Sequence, residues 1–154
     1  MAMFIYACLF VALLAWGCFV LWRWKDTREF ASEVLALRKQ SAEIPEDVTA
    51  AEFTPLYMAS EGPRAQTYLF LSALFVTVML PVFASLFNLV WGVFWAGAGR
   101  PPVFEVGTLV HTFCMFLGIV GLIVGVLALS MRRYYSKMPR DFKHVLRDLN
   151  EGMS

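Results

Sequence analysis

Apolar residues run almost unbroken through Met3–Trp22, Tyr68–Trp95 and Thr108–Met131, and charged residues collect between and after these runs. Each run matches or exceeds the roughly 20 residues an α-helix needs to cross a hydrocarbon core. The pattern predicts an all-α integral membrane protein of one membrane domain, with three transmembrane helices at about 3–22, 67–95 and 108–131. A connection over 23–66, a loop over 96–107 and a tail over 132–154 complete it, carrying short amphipathic cytoplasmic helices.

Beyond Trp22 the first helix is expected to continue. Phe30, Val34 and Leu37 recur at i, i+4 and i+7 with Ala31 and Leu35 beside them, Lys25 and Glu29 stand one turn apart, and Pro45 sets the stop. Thr54-Pro55 reads as an N-cap and first-turn proline for a short helix Pro55–Ser60 that Gly62-Pro63 ends. In the tail, Pro139 precedes Phe142, Val145, Leu146 and Leu149, an amphipathic spacing that Asn150 and Gly152 close.

Composition confirms the class: 154 residues with 59% hydrophobic and 16% charged side chains leave too little polar surface for a water-soluble globule. The net charge of +1 gives no reason to expect nucleic acid as a partner. Distribution of charge is more informative. Basic residues cluster after the first run (Arg23, Lys25, Arg28, Arg38, Lys39, Arg64) and in the tail (Arg132, Arg133, Lys137, Arg140, Lys143, Arg147), whereas 96–107 has only Arg100. By the positive-inside rule this places the N-terminus and 96–107 in the periplasm, and the 23–66 connection and the C-terminus in the cytoplasm, of a bacterial inner membrane. The first run lacks the basic n-region of a cleaved leader and reads as a retained span. Arg23, Lys25, Arg132, Arg133, Lys137, Arg140 and Lys143 are expected to contact anionic lipid headgroups or a partner, each gaining about 1 kcal/mol near a charged surface.

Within the spans, small residues carry the next signal. Cys114, Gly118, Gly121, Gly125 and Ala128 alternate spacings of three and four behind His111, and Thr77, Pro81, Ser85, Asn88 and Gly92 form a matching stripe on the second span. Small residues let backbones approach in lipid, where no hydrophobic drive pairs helices, so both stripes are predicted as helix-packing interfaces. Pro81 frees the Thr77 carbonyl, Ser85 is expected to bond back one turn, and Asn88 to tie two helices together.

His111 is the polar residue of possible functional weight, since an ionisable group in a span is a functional candidate by default. Its place near the outer end, close to Glu105 and Thr108, favours an interfacial hydrogen-bonding role over proton handling or haem ligation. Arg100 and Glu105 read as a loop ion pair. Cys8, Cys18 and Cys114 lack metal or redox spacing and are taken as small packing residues. There is no HExxH, GxSxG, Walker loop or CxxC pattern, so no catalytic residue, cofactor or metal is assigned and the chain is not expected to be an enzyme.

Two readings follow. The first is a small accessory or assembly subunit of a larger inner-membrane complex (respiratory, photosynthetic or transport), with other integral membrane subunits and anionic lipids as partners. The second is a homo-oligomeric transporter, channel or motor component. In topology alone, the order of spans resembles that of proton-channel subunits of the ExbB/TolQ type, with no sequence motif in common.

Overall fold

The computed structural model describes residues 2–137 together with His144 and Arg147, and side chains from Phe4 onward. Of the predicted tail helix only His144 and Arg147 are described, both helical and exposed; Arg140 and Lys143 lie outside the described residues. Among the described residues the chain forms α1 Ala2–Gln40, α2 Ala50–Glu61, α3 Arg64–Gly97, the 3-10 turn Pro102–Phe104, and α4 Leu109–Ser136. Among the described residues there is no strand. Three of the helices are long and apolar enough to cross a membrane, and the chain is a multi-pass membrane protein.

The chain divides into two compact units, Met1–Phe70 with Tyr134–Ser154, and Leu71–Arg133. In the first unit α1 runs unbroken for 39 residues. It ends at Gln40, five residues before Pro45, because Ala42 takes a left-handed φ of 56° that turns the chain back. Arg38 pairs with Glu43 at 3.0 Å and the Lys39 ammonium donates to the Glu46 carbonyl at 2.7 Å, fastening the return. Ile44 and Val48 then fold onto Ala31 and Leu35, with Phe53 and Tyr57 completing a small buried core. The buried face of α1 is therefore centred on Ala31 and Leu35. Phe30 and Leu37, expected to lead that face, stay 52% and 63% exposed.

Helix α2 begins earlier than predicted. Its N-cap is Thr49, whose N–H and hydroxyl both donate to the Glu52 carboxylate at 3.0 and 2.9 Å. These bonds hold the Glu52 carboxyl below its usual pKa, the backbone donor contributing most. Pro55 consequently falls inside the helix, where it leaves the Ala51 carbonyl without an intrahelical donor. Burial pushes the Tyr57 phenol above its usual pKa; Glu61 adds to the rise and Arg38 opposes it. At Gly62 the chain passes so close to the Trp24 ring and the Met58 carbonyl that a Cβ has no room.

Further contacts within this unit join α1 to the start of α3. The Trp24 indole donates to the Thr67 hydroxyl at 2.8 Å, and the Phe70 ring lies edge-on to Trp16 and covers Gly17. Arg64 reaches the Lys137 carbonyl at 2.8 Å, and Tyr68 meets Tyr134 edge-to-face. Cys8 and Cys18 are exposed rather than packed.

In the second unit α3 and α4 form an antiparallel pair joined by a tight loop with Gly99, Arg100 and Gly107 at positive φ. Helix α3 continues through Pro81 without a break. Near the loop, the indole N–H of Trp91 donates to the Phe104 carbonyl at 2.8 Å and that of Trp95 to the Pro101 carbonyl at 3.0 Å. Trp91 and Trp95 thus brace the turn.

Candidate functional site

The polar centre of the second unit is the pair Asn88, between two and three turns before the end of α3, and His111, in the first turn of α4. Thr108 caps α4: its hydroxyl donates to the Glu105 carbonyl at 2.7 Å and lies 3.5 Å from the His111 N–H. That local fold fixes His111 in the first turn, and the ring is buried at 4% exposure. The Gly107 N–H donates to His111 Nδ1 at 3.3 Å, and His111 Nε2 lies 2.9 Å from Asn88 Oδ1. Because Nδ1 accepts, the ring proton sits on Nε2 and is donated to Asn88. Phe87 and Trp91 enclose the imidazole, their ring centroids 5.7 and 5.2 Å away.

Both imidazole nitrogens are thus engaged, so the arrangement as it stands offers no lone pair to haem or another metal. Glu105, expected near the ring, contributes its backbone rather than its carboxylate. Arg100 lies 6.0 Å over the Trp95 ring, and no ion pair joins it to Glu105 among the described residues.

A second hydrogen bond, not anticipated from sequence, closes the far end of the same helix pair. The hydroxyls of Ser72 and Ser130 lie 2.6 Å apart, and Ser72 is buried. Each is a serine in an apolar run, a signal of the same kind as Asn88, and neither belongs to the two predicted stripes. Thr77 and Ser85 instead bond back to their own helix, to the carbonyls of Ala73 at 2.9 Å and Pro81 at 2.8 Å.

The two predicted stripes divide. Gly118 packs against Phe83, whose Cζ would lie 2.6 Å from a Cβ at that position. Cys114 is half-buried on the same side. Gly121, Gly125 and Ala128 are exposed, and a Cβ at either glycine would meet nothing within 4 Å. Burial along α4 runs through His111, Met115, Gly118, Leu122, Val126 and Ser130, one to two residues further on than the predicted stripe beyond Gly118. Since one residue is about 100° of rotation, the hydrogen bonds at the two ends set a helix orientation that the small residues alone did not reveal. On α3, Pro81, Ser85 and Asn88 are exposed and Gly92 is half-buried with open space around it.

Of the basic residues assigned to headgroups or a partner, Arg23, Lys25, Arg132, Arg133 and Lys137 are exposed. Lys25 also pairs with Glu29 at 3.6 Å, as the one-turn spacing predicts. An open groove of about 620 Å³ lies in the first unit, lined by Arg28, Ala50, Ala51, Thr54, Pro55 and Met58. Among the described residues, no group of three or more His, Cys, Asp or Glu side chains is placed to hold a metal ion.

No protein-family model, curated protein or solved structure matches the chain.

Proposed function

We propose that this protein is a small accessory or assembly subunit of a larger complex in a bacterial inner membrane, respiratory, photosynthetic or transport in kind. It acts by helix packing rather than by chemistry of its own. One observation carries the reading: several polar side chains of the spans bond within the chain, while a small-residue face is left outward. Ser72 meets Ser130, Thr77 and Ser85 bond to their own helix, and both His111 nitrogens are occupied. Gly121, Gly125 and Ala128 meanwhile present an open surface to which another subunit's helix could pack closely.

The orientation that accompanies this reading has the N-terminus and the 96–107 loop in the periplasm and the C-terminus in the cytoplasm, by the excess of Lys and Arg on the other side. Exposed Arg23, Lys25, Arg132, Arg133 and Lys137 then face anionic headgroups.

The test is purification in a gentle detergent with identification of co-purifying chains. Larger membrane subunits should co-purify, and Gly121→Leu and Gly125→Leu should reduce their recovery more than Val120→Leu and Val124→Leu. Proton or ion flux from this chain alone in liposomes, altered by Asn88→Ser, would instead establish a homo-oligomeric pathway and reject the accessory role.

A further inference from the structure

The Gly107 N–H occupies His111 Nδ1, so Nε2 must carry the proton that bonds Asn88 Oδ1. That assignment fixes the orientation of the Asn88 carboxamide. Its oxygen is turned to His111, and among the described residues its Nδ2 donates to nothing, although the residue is exposed on α3. Asn88 lies two turns inside Trp95 in the second apolar run, where water is scarce and an amide without acceptors is costly.

The surface around Asn88 has a heptad character. Ser85, Asn88 and Gly92 stand at i, i+3 and i+7 on one side of α3; Ser85 is exposed, and a Cβ at Gly92 would meet nothing within 4 Å. A polar residue at one position of such a seam sets register and partner number in packed helices.

We propose that this face is a self-association surface on which two copies of the chain meet, α3 against α3, with Asn88 at the centre. Copies inserted with the same topology can meet through the same face only in parallel, which sets Asn88 opposite its counterpart. A carboxamide is self-complementary: each Nδ2–H donates to the other copy's Oδ1, whose second lone pair the His111 bond leaves open. The backbone-anchored histidine thereby presents the amide in one orientation before the copies meet. The accessory role does not depend on this dimer, so a monomeric subunit of a larger complex would defeat this inference alone.

The full chain is reconstituted in phosphatidylethanolamine–phosphatidylglycerol liposomes and its stoichiometry counted by single-molecule photobleaching over a range of protein densities. Wild type is expected to show two-step bleaching, and Asn88→Leu to weaken the dimer about three- to thirtyfold. Because Asn88→Leu also breaks the His111 bond, cysteine cross-linking with Asn88 intact supplies an independent reading. With Cys8, Cys18 and Cys114 replaced by alanine, Ser85→Cys and Gly92→Cys should form disulfide-linked dimers on oxidation. Leu86→Cys and Val90→Cys, exposed on other sides of α3, should not. Single-step bleaching at all densities would overturn the proposal, as would cross-links strongest at 86 or 90.

Discussion

Gly118→Leu probes the close contact between Gly118 of α4 and Phe83 of α3. A Cβ at Gly118 would stand 2.6 Å from Phe83 Cζ and 3.3 Å from Cε1. Carbon pairs are most stable at about 3.5–4.0 Å, so the ring must retreat by roughly 1 Å for alanine and further for leucine. Ser72–Ser130 and Asn88–His111 bind the pair on either side of this point and restrict how far the helices can part. Overpacking a close contact of this kind costs about 1–3 kcal/mol. The assay is thermal unfolding of the purified chain in mild detergent, comparing Gly118→Ala, Gly118→Leu and Gly121→Leu. Stability should fall in the order alanine, then leucine at 118, with Gly121→Leu near wild type because its Cβ meets nothing. Phe83→Ala should rescue part of the loss in Gly118→Leu, since it removes the ring that the new side chain strikes. Equal tolerance of leucine at 118 and 121, or no rescue by Phe83→Ala, would refute the packing argument.

Phe53 is fully buried between α1 and α2, so Phe53→Ala should cost about 3–5 kcal/mol and make the 41–49 connection susceptible to protease, whereas Phe30→Ala should leave it resistant. Glu52 has a depressed pKa, which stabilises the fold above the unfolded-state value and loses that effect as pH falls through the folded-state value. Hydrogen-exchange protection in the first turn of α2 should therefore decline on acidification in wild type and be weaker, with a flatter pH response, in Glu52→Ala; matching profiles would contradict the cap. Gln66 Oε1 is buried without a hydrogen bond, so Gln66→Met should unfold at a temperature no lower than wild type, because nothing favourable is lost and a desolvated acceptor is removed.

The spans were legible because a run of apolar side chains must be of bilayer length, and that requirement is one-dimensional. Helix rotation was not. Along α1 beyond the membrane, Phe30 and Leu37 satisfy the same periodicity as Ala31 and Leu35, and only the backward turn at Ala42 decides which pair Ile44 and Val48 cover. Along α4, glycines spaced three and four apart mark a face that can pack closely, but the hydroxyl of Ser130 and the imidazole of His111 point the inner face elsewhere. The start of α2 was readable and misread: Thr49 and Glu52 have capping spacing, yet Thr54-Pro55 carries the same kind of signal five residues later. At the candidate site, Asn88 and His111 were each visible as polar residues in a span. Their bond to one another required the loop that brings Gly107 against the ring.

Helix α1 gives the first unit a lever. It passes from Phe4 through the Trp24 contact to Gln40 with no interruption, so the stretch beyond Trp24, about 24 Å long, cannot turn independently of the span. A helix whose apolar run exceeds the local bilayer thickness tilts, and a change of about 10° would sweep its far end by roughly 4 Å. Phe53 and Tyr57 are seated on that end, so α2 would travel with it. A thinning of the lipid around the N-terminal span would then arrive outside the membrane as a sideways displacement of a folded helix.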